Sequence, residues 1–234
     1  MRRPSNFYRY RSLAGNGRNF TKSIVVENRL YFAAPRDLND PYDCRPNFSL
    51  NRTEKAFDFR FGAIELRGSD DDLDEIKKRY WKRIESQNGV LCLSAVANSA
   101  LMWSHYADSH RGVCLQFDAE HWYFTMARPI NYAHERAIID PWNDDNHTAE
   151  EAGIYTKSRD WAYEAEWRIG RNHFPGSYSF PSEALTGVIL GANISEVNER
   201  EVRSWIDKRS TGISLFRCRL SECTYGIEIQ PDET

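Results

Sequence analysis

The run Trp161-Ala162-Tyr163-Glu164-Ala165-Glu166-Trp167-Arg168-Ile169 is dense in aromatic side chains, and we interpret it as a β-strand. Because side chains alternate along a strand, Glu164 and Glu166 would point to one face of the sheet. Two carboxylates held this close repel each other, which raises the pKa of at least one unless a cation or hydrogen-bond donor lies nearby. The pair is therefore a candidate site. In the alternative interpretation the run is an edge strand with a solvated face, screened by Arg159, Arg168 or Arg171.

The length and composition indicate a folded α+β protein. The chain of 234 residues is 41% hydrophobic and 13% aromatic, which is ample for a hydrophobic core. Predicted strands outnumber predicted helices and do not alternate regularly with them, so we predict an α+β fold. We expect a single domain spanning residues 1–234. Within it, helices predicted over Thr53–Leu66 and Asp70–Gln87 form a helical insertion at about residues 53–88.

The charge balance excludes a general electrostatic attraction to nucleic acid. The formal net charge is −3 at neutral pH. The 31 basic residues are nevertheless mostly arginine, 24 against 7 lysines. Arginine suits bidentate phosphate contacts better than lysine does, so a local phosphate site stays open.

Cysteine usage and hydropathy predict the compartment. The chain has five cysteines, an odd number, and no Cys-x-x-Cys pair, which is typical of a protein in a reducing environment. The basic N-terminus lacks an apolar run of signal-peptide length, and no stretch reaches the roughly 18 apolar residues of a membrane span. We therefore expect a cytoplasmic protein without a membrane partner.

Two early segments concentrate polar chemistry. Tyr8-Arg9-Tyr10-Arg11 lies in a predicted first strand and sets guanidinium groups beside aromatic rings, an arrangement that suits a phosphate or a flat heterocycle. An amphipathic edge strand explains the same pattern. The segment Asn39–Asp43 could bind a cation, but a turn whose carboxylate bonds its own backbone is more common, and we predict no metal site.

The segment Met102–Cys114 carries two histidines, an acid and a thiol, which are the groups of a zinc site or a Cys-His nucleophile. His105 and His110 are five residues apart, however, and that spacing does not place both on one helix face. We favour a helix end whose His and Arg side chains satisfy carbonyl groups.

Long motifs carry a resemblance to a known family. In chain order, five segments are similar to the bacterial domain-of-unknown-function family 2971 (DUF2971), over about Phe7–Ile194. They are FYRYRS, LYFAAPRDLNDPYDC, GVLCLSAVANSALMWSHYADSHRGVCLQFD, KSRDWAYEAEWRI and TGVILGANIS.

The order of three features also resembles the ADP-ribosyltransferase signature: an early strand with a basic residue, a second strand with an aromatic before small residues, and a late Glu-x-Glu strand. The resemblance implies a split, mostly antiparallel β-sheet core with flanking helices. It puts Arg9 where that fold anchors NAD and Tyr31–Ala34 at the second-strand motif. It also puts Glu166 at the catalytic glutamate, with Glu164 helping to position the acceptor. Ala33 and Ala34 lack the hydroxyls of a Ser-Thr-Ser motif, so either Tyr31 serves in their place or the activity is altered or absent.

The implied function is that of an NAD-dependent ADP-ribosyltransferase or NAD glycohydrolase, with NAD as substrate. Cleaving the nicotinamide–ribose bond generates an oxocarbenium-like transition state that Glu166 would stabilise. Arg9 or Arg11 would neutralise the pyrophosphate. The remaining candidates for binding NAD are Tyr10, Tyr31, Trp103, His105 and Tyr106. Such bacterial transferases often serve as toxins or in anti-phage defence, so the resemblance implies a nucleic-acid or protein acceptor and an antitoxin or regulatory partner.

Two other classes of function fit the sequence. The arginine excess and the aromatic content also suit a non-catalytic module that binds nucleic acid or a nucleotide. A metal-dependent nuclease is the third class, and it predicts activity that a chelator abolishes. Its ligands would be Asp40, Asp43, Glu164 and Glu166.

Overall fold

The fold centres on one large sheet. The computed structural model describes residues 2–48, 56–61, 64–69, 73–139, 151–171 and 174–232, and within this part of the chain eight strands form that sheet. The described strands are β1 Asn6–Arg11, β2 Arg29–Phe32, β3 Asn47–Phe48, β4 Ala56–Phe61, β5 Ile64–Ser69, β6 Gly89–Ser94, β7 Val113–Asp118, β8 Arg128–Pro129, β9 Asn131–Ala133, β10 Ile138–Ile139, β11 Thr156–Ser158, β12 Glu166–Arg171, β13 Gly176–Ser179, β14 Leu185–Leu190, β15 Ser214–Leu220 and β16 Ile227–Pro231. The α-helices with bounds inside the described part are α1 Asn16–Glu27, α2 Leu73–Gln87, α3 Ala100–Tyr106 and α4 Glu196–Ile206, and residues 151–154 are also helical.

The strand order of the large sheet is β16-β15-β14-β7-β1-β6-β12-β8. Its neighbouring strands pair antiparallel, except for β14 and β15, which run parallel. The predicted α+β class with a mostly antiparallel sheet is confirmed. Two-stranded sheets lie beside the large one, and β2 pairs with β13 in one of them.

The large sheet is nearly divided between β1 and β6. All six residues of β1 pair with β7, whereas β1 pairs with β6 only at Tyr8 and Ser94. Further along β6, Val90 exchanges both backbone hydrogen bonds with Ala33, just after β2. Near its start β6 is thus bridged to the residue after β2 and is not paired with β1, and a gap opens between β1 and β6.

Apolar side chains cover both faces of the sheet. Phe7, Leu115 and Val188 belong to a buried cluster that includes residues of α1 and α4. A second cluster contains Tyr10 and Trp103, and it joins α3 to the strands. Because β1 contributes Phe7 to one cluster and Tyr10 to the other, its side chains anchor both layers.

Helices α1 and α4 follow ordinary local rules. Helix α1 buries Thr21, Ile24 and Val25 and ends at Asn28, which adopts the left-handed conformation and bonds the Ser23 carbonyl through its backbone N–H. Helix α4 begins after Ser195, whose hydroxyl accepts a hydrogen bond from the Asn198 N–H. No helix in the described ranges is long and apolar enough to cross a membrane.

The helix predicted over Thr53–Leu66 is wrong for the residues that the structure describes there. Ala56–Phe61 and Ile64–Ser69 are paired strands, while residues 53–55, 62 and 63 lie outside the described part. The sequence AFDFRF alternates aromatic and charged residues with a period of two, which is the strand pattern. The second predicted helix is confirmed as Leu73–Gln87.

Candidate functional site

A cavity of about 560 Å³ opens at the gap between β1 and β6. This volume lies in the range of small-molecule sites, about 300–1,000 Å³. Helix α1, strand β2, the loop after β2 and the segment around β11 and β12 also contribute to its wall. The predicted site residues that line it are Arg9, Tyr10, Arg11, Tyr31, Tyr106, Glu164 and Glu166.

Two predicted site residues do not line this cavity. Trp103 is fully buried in the core, donates its indole N–H to the Ala97 carbonyl at 2.8 Å and packs edge-to-face on Tyr10. No ring face of Trp103 is open to a ligand, so its assignment as a stacking residue is corrected. His105 is exposed on α3, with its ring 6.2 Å from that of Tyr163. Helix α3 turns positions 102 and 103 inward, and this orientation places His105 on the outside.

The backbone around the two glutamates differs from the predicted strand. Arg159–Glu164 is a 3₁₀ helix, Ala165 takes a left-handed conformation with φ of 44°, and β12 begins only at Glu166. The hydroxyl of Ser94 donates to the Glu164 carbonyl at 2.7 Å, which fixes this turn against β6. The strand predicted from Trp161 is therefore wrong up to Ala165. The two carboxylates nevertheless meet, because the turn brings both of them to Lys157.

Lys157 stands at the centre of a buried charge cluster. Its Nζ lies 2.5 Å from Glu164 Oε2, 3.0 Å from Glu166 Oε2 and 3.6 Å from Asp43 Oδ2. Arg168 adds contacts of 2.6 Å to Glu166 and 2.8 Å to Asp43. Three carboxylates thus share two cations, and all five side chains are buried.

The sequence interpretation missed Lys157 as a partner and used Asp43 only as a metal ligand. Arg168 could be found, because it lies two residues after Glu166 on the same face of β12. Of the other proposed screening residues, Arg159 is exposed and lies beside His134, while the side chain of Arg171 is outside the described part.

The two glutamates differ in protonation. Burial raises the pKa of Glu166, but the charges of Arg168 and Lys157 outweigh it and bring that pKa to about 2. The pKa of Glu164 is raised, chiefly by burial, against the opposing charge of Lys157. The Tyr106 hydroxyl donates to Glu164 Oε1 at 2.5 Å and accepts a hydrogen bond from the Asn39 amide. Glu166 is hence a fixed anion, and Glu164 is the carboxylate suited to exchanging a proton.

The carboxylates do not fit a metal. Lys157 and Arg168 bond Glu164 Oε2, both oxygens of Glu166 and Asp43 Oδ1, and a divalent cation would have to displace them to use these oxygens as ligands. Asp40 accepts a hydrogen bond from the Tyr42 backbone N–H at 2.9 Å, which is the carboxylate-bonded turn described above as the alternative.

Arg9 and Arg11 carry charge without a carboxylate partner among the residues that the structure describes. Arg9 donates to the Cys92 carbonyl at 2.9 Å, and its buried Nε has no acceptor. The Nε of Arg11 is also buried and unpaired, and its guanidinium lies 5.9 Å from the centre of the Phe20 ring. Burial lowers the pKa of both, and the charge of Arg9 helps to bring that of Arg11 to about 9. Buried cations without an opposing charge in contact are costly, so the pair favours an anion in the cavity.

Phe20 and Tyr31 form the rim of the cavity. Their ring centres are 6.1 Å apart, and the residues are 49% and 39% exposed. Nearby, Arg29 donates to the Ser177 carbonyl and hydroxyl. Phe20 had no signal in the sequence, because α1 and β2 come together only in the folded chain.

A family model described as a protein of unknown function, DUF2971, matches residues 102–169. The predicted resemblance to this family is confirmed over that segment, which includes Lys157, Glu164, Glu166 and α3 from Met102 onward. No curated protein and no solved structure matches the chain. The similarity to ADP-ribosyltransferases stays a prediction.

Proposed function

We propose that the cavity binds NAD and that the protein cleaves its nicotinamide–ribose bond, either as an ADP-ribosyltransferase or as an NAD glycohydrolase. One observation carries this proposal. Two guanidinium groups without carboxylate partners and two carboxylates of opposite pKa shift line the same volume of about 560 Å³. Cavities that combine unpaired charge with perturbed acids are typical of sites that bind and transform a charged ligand.

The pyrophosphate would lie against Arg9 and Arg11. Each guanidinium offers donors in a planar fork that matches phosphate oxygens, and Nε of each lacks a partner. A bound pyrophosphate would accept hydrogen bonds from the guanidinium N–H groups that face the cavity and would offset the repulsion between the two arginines. The gap between β1 and β6 gives the ligand access from β1 to the carboxylates of the β11–β12 segment.

The carboxylate cluster would act on the glycosidic bond. As that bond breaks, its electron pair moves to the nicotinamide nitrogen, which loses its positive charge, and the ribose carbon becomes an oxocarbenium centre. The fixed anion of Glu166 stabilises this positive charge. A nucleophile then bonds the ribose carbon and gives up its proton, and Glu164 is the group placed to accept it.

The nucleophile decides which of the two activities results. With water, the protein would be an NAD glycohydrolase. With a nucleic-acid or protein acceptor it would be an ADP-ribosyltransferase. That is the activity of a toxin or anti-phage effector in the cytoplasm, where an antitoxin or regulatory protein would restrain it.

A nucleotide-binding module without catalysis is the second candidate. It is favoured by the complete engagement of Glu166, whose two carboxylate oxygens are both bonded by Arg168 and one also by Lys157. In this case the arginines would bind a nucleotide and the charge cluster would only stabilise the fold. Metal-dependent nuclease chemistry has no support from the donor set.

Turnover of labelled NAD tests the proposal. The purified protein is incubated with NAD labelled in the nicotinamide or the adenine ring, with and without cell extract or RNA, and both nicotinamide release and label transfer are measured. We expect Glu164→Gln and Glu166→Gln each to lose about 100-fold or more in rate. Glu196→Gln, at an exposed position on α4, is the matched control and should retain full rate.

Thermal unfolding of each variant shows whether it remains folded. Full nicotinamide release by both cavity variants would overturn the mechanism. Binding of ADP-ribose without any release under these conditions would favour the nucleotide-binding module.

A further inference from the structure

We propose that the rim formed by Phe20 and Tyr31 holds the adenine ring of NAD, which fixes the direction in which the dinucleotide enters the cavity. This inference rests on the proposed function. It adds Phe20 as a residue that determines specificity, and it gives the orientation of NAD in the cavity.

The two sides of the cavity differ in the sign of their net charge. On the side of α1 and β2, Arg11 lies beneath Phe20 and Arg29 lies near Tyr31, with Asp37 as the acidic residue in the described lining there. On the side of β11 and β12, three carboxylates share two cations. The cavity is therefore more positive at Phe20 and more negative at Glu164.

The two ring systems of NAD also differ in charge. Adenine is neutral and stacks on an aromatic or guanidinium face without repulsion. The nicotinamide ring of NAD is a cation, so Arg11 and Arg29 would repel it, whereas the excess carboxylate beside Lys157 would attract it. Electrostatics thus places adenine at the rim and nicotinamide at the charge cluster.

The strand register gives the separation between the two positions. Tyr8 pairs with Ser94, and Ser94 pairs with Glu166, so these three residues form one row across the sheet. Arg11 lies three residues beyond Tyr8 on β1, which is about 10 Å along the strand. Arg11, whose guanidinium lies 5.9 Å from the centre of the Phe20 ring, is hence about 10 Å further along the sheet than the row of Glu166, and an extended dinucleotide can span such a separation.

The exposure of the rim supports a binding role. Phe20 is 49% exposed although it is a large apolar residue, and Tyr31 beside it is 39% exposed. They come from different elements and present adjoining rings at the mouth of a cavity. A ring stacked on them would remove apolar surface from water.

Titration calorimetry with ADP-ribose tests this assignment without requiring turnover. Phe20→Ala should weaken ADP-ribose binding about 10- to 100-fold, since stacking of a base on an aromatic side chain is lost. Phe20→Tyr should restore most of the affinity. The control is Phe174→Ala, because Phe174 is 72% exposed and does not line the cavity.

Kinetics with two substrates supply the second readout. For Phe20→Ala the change should fall on KM for NAD and not on kcat. The KM for nicotinamide mononucleotide, which lacks adenine, should stay as in the Phe174→Ala control. Equal losses for NAD and nicotinamide mononucleotide, or ADP-ribose binding as tight as in that control, would overturn the assignment.

The two proposals fail in different ways. Binding of ADP-ribose that depends on Phe20, without any nicotinamide release, would retain the adenine site and reject NAD cleavage. If the wild-type protein binds neither ADP-ribose nor NAD, both proposals are wrong.

Discussion

Replacing Lys157 by methionine removes the ammonium group that joins Asp43, Glu164 and Glu166. Methionine keeps most of the side-chain length but carries no charge. Arg168 would still bond Asp43 and Glu166. Glu164 would keep the Tyr106 hydroxyl and lose its cation. The variant therefore isolates the contribution of one buried charge.

The magnitude follows from the burial of the cluster. Lys157 contacts three carboxylates at 2.5, 3.0 and 3.6 Å, and its side chain is 3% exposed. Removing one partner of a buried ion pair costs about 3–5 kcal/mol. In a chain of this size that cost lowers Tm by about 6–20 °C.

The stability lost in Lys157→Met should depend on pH. In the wild type, the depressed pKa of Glu166 contributes stability above the unfolded value of about 4.3, and this is lost as the pH falls toward about 2. Without Lys157 the folded-state pKa values of the carboxylates rise, and protonation relieves the uncompensated charge. The difference in unfolding free energy between wild type and variant should hence be greatest near pH 7.5 and smaller near pH 5.

Urea denaturation at these two pH values measures both effects. Lys208→Met is the control, because Lys208 is exposed and makes no side-chain ion pair in the described part of the chain. A Lys157→Met variant within about 1 kcal/mol of wild type at pH 7.5, or a difference that does not shrink at pH 5, would refute the reasoning.

Two further predictions concern the backbone next to Arg11 and the Tyr106 hydroxyl. Gly112→Ala should destabilise the fold by about 3 kcal/mol in urea denaturation, because a Cβ there would lie 2.1 Å from the Arg11 carbonyl oxygen. The control is Gly212→Ala, where a Cβ would have nothing within 4 Å, and it should change stability by less than about 0.5 kcal/mol. Tyr106→Phe removes a hydrogen bond that lowers the pKa of Glu164, so the acidic limb of kcat/KM for NAD should move to higher pH. If the acidic limb stays at the same pH, the Tyr106 hydroxyl does not influence the pKa of Glu164.

The sequence predicted those features that depend on local pattern. Strand β1 and the aromatic-basic alternation at Tyr8–Arg11 were found, because the period of two is visible within six residues. The acidic start and basic continuation of α2 located that helix to within three residues. The pairing of an early guanidinium with late carboxylates came from the order of three motifs, and the structure places them in one cavity.

Features that depend on distant contacts could not be predicted. The turn at Ala165 rests on the bond from Ser94 to the Glu164 carbonyl, which joins residues 70 positions apart. Lys157 lies seven positions before Glu164, and the contact depends on the turn at Ala165, which the sequence did not predict. The same limit applies to Phe20, whose role depends on its approach to Tyr31.

For two other wrong predictions, the sequence itself favoured the structure that is observed. The period-two pattern of AFDFRF indicates a strand, although the segment was assigned to a helix. Trp103 lies one residue after Met102 on the inner side of α3, where a large aromatic ring usually belongs to the core.

The central claim is that Arg9 and Arg11 bind the phosphates of a nucleotide whose ribose reaches Glu164 and Glu166. A crystal structure of the protein with ADP-ribose tests it most directly. The account predicts pyrophosphate oxygens within hydrogen-bond distance of both guanidinium groups, adenine on Phe20, and the free ribose facing Glu164. ADP-ribose bound elsewhere with the cavity unfilled, or bound with its adenine among the carboxylates, would contradict it.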